Sequence, residues 1–260
     1  MLIPDMEKFH ENDKEMLTDL ERLFRRWYKS ALSKSFMYNY NADSLVFDGF
    51  YPYYYNQKVK VLFIGRESLG ISGQNYITVL YDAYKNNKVG SKTINRSSFH
   101  ARMFYITYAL NNQEYNWSNI PYASELTDSF GTKEGISFSF MNLSKLSNES
   151  SGWSADWPLI DNFVSSFKSD EINFFNEQIS ILKPDLIIAM NLGKSLRALG
   201  NLTSIEKGKN VNVHKLKVND SYIPLLNTFH FSAPAKKDPD DYFKPVIEAY
   251  KKYVLKLNKL

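Results

Sequence analysis

Apolar and polar positions along the 260-residue chain follow helical spacing in some stretches and form short unbroken apolar runs in others, and the switches mark the elements. Between residues 6 and 36, Phe9, Met16, Leu20, Leu23, Phe24 and Trp27 recur at helical spacing among Glu, Asp, Lys and Arg. This predicts a long amphipathic helix, an N-terminal arm within residues 1–40 with one packed and one solvated face. Arg25, Arg26 and Lys29 fall near its end, where cations suit the helix dipole. A tyrosine-rich, irregular stretch comes next, over residues 38–57. Four apolar runs then read as strands: 59–64 (VKVLFI), 136–141 (ISFSFM), 185–190 (DLIIAM) and 223–228 (IPLLNT). Runs of this kind suit strands buried on both faces. Helical patterns at 76–85, 99–110, 170–182 and 240–257 lie between or after them, with Lys183-Pro184 closing the third. Residues 211–218 alternate, as an edge strand or hairpin arm does.

Strands separated by helices predict an α/β three-layer sandwich around a central, mainly parallel four-stranded sheet. With no internal repeat and no low-complexity linker, residues 1–260 are expected to form one domain. In such sheets ligands bind beyond the carboxyl ends of the strands.

Composition narrows the chemistry. With 0 Cys, disulfides, thiolate-held clusters and thiol catalysis are excluded. The absence of cysteine, of a spanning apolar run and of a signal-like apolar segment in MLIPDMEKFHENDKEM leads to the expectation of a cytoplasmic protein with no membrane partner. A formal net charge of +4 permits nucleic-acid binding. The 18 Tyr and 18 Phe suit either core packing or base stacking. His10, His100 and His214 have no partners at metal-ligand spacing, and neither a metal nor another cofactor is expected. Lys194-Ser195 lacks the full phosphate-loop pattern.

The residues just beyond each strand carry the candidate function. The first strand runs into Gly65-Arg66-Glu67-Ser68-Leu69-Gly70, the second into Asn142 in MNLSKLS, and the last into His230 in HFSAPAKKD. A carboxylate, an amide and an imidazole are thereby expected on one rim. The carboxylate can orient water or offset positive charge, the amide can read a donor–acceptor edge, and the imidazole can stabilise an anionic leaving group. Each also has a plain reading. Glu67 can cap the next element or pair with Arg66, Asn142 can close a turn on its own backbone, and His230 can be structural.

GRESLG, FMNLSKLS and HFSAPAKK, in this order, resemble the three motifs of the uracil-DNA glycosylase superfamily, and FFNEQISILKPDLIIAMNLGKSL resembles its intervening helix–strand unit. The resemblance covers residues 59–250 and implies a DNA glycosylase that hydrolyses the N-glycosidic bond of uracil or a related damaged base, a hydrolase of base-excision DNA repair. It implies that Glu67 acts on water and the sugar cation, that Asn142 reads the base and that His230 bonds the departing base. Ser232 then corresponds to a phosphate contact, with Lys236 and Lys237 as further nucleic-acid contacts. Gly65 and Arg66 belong to the substrate-binding loop. INRSSFHARM nominates Phe99 as the ring stacked on the base, with Tyr76 as its rival.

The chain departs from the pattern at several points. Glu67 is one methylene longer than the family's Asp, a shift of about an ångström, and misplacement on that scale can cost roughly a hundredfold. Phe231 stands where the family has Pro, which predicts a looser turn. Pro234 falls at the place of an apolar Leu wedge, and Ser68-Leu69 replace Pro-Tyr or Pro-Gly. Trp153 and Trp157 can anchor a loop or line a groove. The competing readings are a catalytically inactive nucleic-acid- or protein-binding module on the same scaffold, and a protein that hydrolyses or binds free nucleosides.

Overall fold

The computed structural model describes residues 9–150, 152, 154–168 and 170–255. Trp153 lies outside them. Helix α1 (Glu11–Ala31) starts where His10 Nδ1 accepts the Asn12 N–H, and it is shorter than the apolar pattern predicts. Phe36 packs from the loop beyond it, stacked on Phe163 at 6.0 Å. In chain order there come β1 (Gly49–Phe50), β2 (Val61–Gly65), α2 (Tyr76–Lys85), a small hairpin of β3 (Lys88–Val89) and β4 (Lys92–Thr93), α3 (Ser98–Asn112), α4 (Ala123–Asp128), β5 (Ser139–Asn142), α5 (Trp157–Ser166), α6 (Phe174–Leu182), β6 (Leu186–Met190), β7 (Leu202–Lys207), β8 (Val211–Val218), β9 (Ser221–Thr228) and α7 (Lys244–Tyr253).

The main sheet has the order β1-β5-β2-β6-β9-β8-β7. β5, β2, β6 and β9 are parallel neighbours and correspond to the four apolar runs. The expected four-stranded sheet is therefore too small. β1 adds to one edge and β8 and β7 to the other, all antiparallel, giving seven strands. The added edge strands leave little apolar signal because β1 is two residues long and β7 is mostly exposed.

Alternation along the central strands divides the interior. Val61 and Phe63 of β2 point to one face with Ile188, Leu226, Phe104 and Tyr250, while Leu62 and Ile64 point to the other with Met141, Ile187, Trp27 and Phe163. Helices α2, α3, α4 and α7 cover the first face, and α1, α5 and α6 the second. The supposed N-terminal arm is thus part of an outer layer. Trp27 of α1 is fully buried, stacked on Phe174 at 5.1 Å and met edge-on by Phe175. Asp13 is also buried and accepts the N–H groups of Tyr53 (2.7 Å) and Tyr55 (3.0 Å), which ties α1 to the tyrosine-rich loop. Helix α6 begins later than expected because Asn173 caps it by accepting the Asn176 N–H.

Candidate functional site

The site is built where β5, β2 and β9 end. The loops after β2 and β5 continue side by side beyond the sheet. Leu143 N–H donates to Gly65 O, Ser144 N–H to Arg66 O, and Asn148 N–H to Ser68 O. Arg66 and Glu67 therefore project from backbone held as firmly as a strand.

Gly65 sits beside Asn142 in the parallel register. A Cβ at Gly65 would stand 2.7 Å from Asn142 Oδ1 and 2.8 Å from the ring of Phe140, so only glycine lets amide and ring come this close. Asn142 is 2% exposed, and its Nδ2 is among the buried side-chain atoms without a hydrogen-bond partner. The turn-closing reading of Asn142 fails on its main chain: Asp48 Oδ2 accepts its N–H at 2.7 Å and Lys145 Nζ donates to its carbonyl at 2.9 Å. A buried amide donor left unpaired costs about 1–3 kcal/mol and calls for an explanation.

Phe99 opens α3 and joins the two sides of the site. Its ring lies 5.3 Å from the His230 imidazole and 6.1 Å from Phe140. Tyr76, its rival, lies flat on Phe140 at 4.6 Å and is 7% exposed, so it backs that ring. Phe140 has no counterpart among the sequence candidates, because one aromatic in an apolar strand looks like any other core residue.

His230 lies just beyond β9. Its Nδ1 lies 2.7 Å from Ser232 Oγ and accepts the Ser232 N–H at 3.3 Å, which assigns the neutral ring's proton to Nε2. Burial, aided by the Arg66 and Arg102 guanidinium charges, pushes the pKa down to about 4. The imidazole is therefore a neutral donor at physiological pH. Ser232, expected at a phosphate, here holds His230 in place.

The loop carrying His230 is not loosened by the loss of proline. Phe231 is fully buried against Phe63, Tyr242 and Phe99. Tyr242 Oη donates to the His230 carbonyl at 2.8 Å. Arg102, 5% exposed on α3, donates to the Phe231 carbonyl, pairs with Asp238 at 2.6 Å and stacks on Tyr242 at 3.8 Å. The helix that bears Phe99 thus also clamps the loop that bears His230. Sequence reasoning misses Arg102, since an arginine on a helix ordinarily reads as a surface residue.

Glu67 is half-buried, and its Oε1 accepts the Asp156 N–H at 2.9 Å, where α5 begins. Burial raises its pKa, opposed by that hydrogen bond and by Arg66. Arg66 lies over the Trp157 ring at 5.0 Å and donates to Asn191 O at 3.2 Å. Of the nucleic-acid candidates, Ser232 and Lys237 are exposed, while Lys236 lies over the Phe229 ring at 3.9 Å. A cavity of about 510 Å³ lies elsewhere, between α1, β1 and α2, lined by Leu17, Leu20, Phe24, Phe47, Phe50 and Ile77 among others. Glu21, Arg25, Lys29 and Asp48 also border it, but it touches none of the strand-end candidates.

Among the described residues no helix is long and apolar enough to cross a membrane, and no group of three or more His, Asp or Glu could hold a metal. Comparison with known protein families, with characterised proteins and with solved structures finds no significant match.

Proposed function

We propose that the protein is a DNA glycosylase of the uracil-DNA glycosylase type, removing uracil or a related damaged base. One observation carries the reading: a buried amide with an unpaired donor, Asn142, stands beside the side-chain-free Gly65 and the ring of Phe140. A pyrimidine carbonyl would supply the missing acceptor to Nδ2, and the side-chain Oδ1 of Asn142 would accept from the base N3–H. With the amide in this orientation, cytosine, which presents an amino group and no N3–H at those positions, is disfavoured.

Breaking the N1–C1′ bond sends its electron pair to the base and leaves positive charge on the sugar. The Nε2–H of His230 stabilises the anionic base, and the Glu67 carboxylate offsets the sugar cation. Water adds its oxygen to C1′, and its released proton passes by way of Glu67 to solvent. The base must first leave the stack, at a cost of a few kcal/mol that is smallest for single-stranded or damaged sites.

One observation favours a second reading, a non-catalytic module that binds single-stranded or damaged DNA: Glu67 is already engaged by the Asp156 N–H. An oligonucleotide bearing one uracil, then alkaline cleavage of the abasic product, separates the two. Product is expected from the wild type, and at least ~100-fold less from Glu67→Gln and from His230→Ala. Salt-sensitive DNA binding without product would favour the second reading.

A further inference from the structure

We infer that the buried Asp48–Lys145 ion pair is a positioning device that aims the Asn142 amide, an inference that rests on the base-binding role proposed for that amide. The pair is 97 residues apart in sequence and its side chains are 0% and 1% exposed. All three Lys145 ammonium protons are used: Asp48 Oδ1 accepts at 2.7 Å, Asp48 Oδ2 at 2.8 Å and the Asn142 carbonyl at 2.9 Å. Asp48 in turn accepts from Lys145 on both oxygens, from Gln178 Nε2 at 2.8 Å and from the Asn142 N–H at 2.7 Å. The ammonium also faces the rings of Trp27 (5.3 Å) and Phe24 (5.9 Å).

Both main-chain polar groups of one residue are therefore held by the two halves of a single ion pair. That residue is the last of β5, where main-chain groups commonly turn to their own side chain. An Asn so placed would fold its amide back and cap itself. With its N–H and C=O already taken by charged partners, Asn142 keeps its amide directed at Gly65 and leaves the buried Nδ2 without a hydrogen-bond partner. Stability alone does not account for the pair, because well-packed apolar residues generally hold such a place as well or better. Hydrogen bonds to charged groups are shorter and stronger than neutral ones, which suits them to fixing a backbone.

The test compares the wild type with Asp48→Leu/Lys145→Met, which fills the space without hydrogen bonds, and with Asp48→Asn/Lys145→Gln, which restores neutral hydrogen bonds. Readouts are hydrogen exchange at the Asn142 main-chain N–H, thermal unfolding, and kcat and KM for uracil excision. In the wild type that N–H is expected to exchange only through global unfolding; exchange at the rate of a loop amide would overturn the inference with no variant needed. The apolar pair is expected to unfold within about 5 °C of the wild type, to speed this exchange at least ~100-fold, and to lower kcat roughly 100-fold with KM changed less than about threefold. The neutral polar pair is expected to recover most of both. An apolar pair with wild-type exchange and wild-type kcat would reduce the ion pair to structural filling. If the wild type excises no uracil, the glycosylase reading fails, while the exchange readout still decides whether the pair fixes Asn142.

Discussion

Gly65→Ala is the smallest change that reports on the geometry of the site. The new methyl would stand 2.7 Å from Asn142 Oδ1 and 2.8 Å from the Phe140 ring, against an ordinary contact distance of about 3.4 Å or more. Each neighbour must therefore yield by roughly 0.6 Å, or β2 must shift by a similar amount. Neither neighbour is at the free end of a long side chain: Phe140 is pinned beneath Tyr76, and the Asn142 main chain is held by Asp48 and Lys145. Overpacking of this kind costs about 1–3 kcal/mol, which for a chain of this size lowers Tm by roughly 2–12 °C. Displacing the amide by a good part of an ångström is expected to reduce excision of uracil by about 100-fold. Gly90→Ala, in the turn between β3 and β4, is the control. No atom would lie within 4 Å of its Cβ, but φ is +59°. Its left-handed backbone predicts a loss of about 1–2 kcal/mol, with excision nearly intact. Wild-type Tm and wild-type excision in Gly65→Ala would refute the close approach on which the site is built.

The same contacts fix the outcome of three other perturbations. His230 is expected to titrate near 4, so an imidazole observed by NMR stays neutral at pH 5.5; a midpoint near 6.5 would contradict its burial. Stability shifts with it: unfolded histidine titrates near 6.5, so the contribution from the neutral ring is complete above that pH and is lost as pH falls towards 4, by up to about 3 kcal/mol. Asn142→Leu removes an unpaired buried amide, so Tm is expected to stay or rise while excision falls at least ~100-fold; a fall in Tm of several degrees would mark the amide as structural. Phe231→Ala empties a fully buried site under the His230 loop and is expected to cost about 3–5 kcal/mol by urea unfolding, with a cost under 1 kcal/mol arguing against the anchor.

The parallel centre of the sheet is legible in sequence because its strands are short apolar runs that stop at polar residues. The places of Asn142, Phe99 and His230 in the fold are legible for the same reason: each stands where an element begins or a strand stops. Phe99 touches both His230 and Phe140, whereas Tyr76 only backs Phe140, because a ring at a helix start says nothing about which way it packs. Edge strands β1 and β7 leave no apolar run to read. The groups that hold the site are the least visible. Arg102 reaches its loop across 129 residues, and Asp48 meets Lys145 across 97. A charged side chain in isolation predicts solvent, and only the fold reveals the partner that makes its burial tolerable. Phe231 misleads for a related reason: local turn chemistry carries no information about the core beneath it.

If the ends of the parallel strands form one cleft that reads a pyrimidine, Asn142 and His230 must respond to the same ligand. Adding free uracil to isotope-labelled protein, and tracking the Asn142 side-chain amide together with the His230 ring nitrogens by NMR, tests this most directly. Both sets of signals are expected to move together and saturably with uracil and to remain still with cytosine. Uracil that leaves both unmoved, or shifts one without the other, would contradict a shared base-reading cleft.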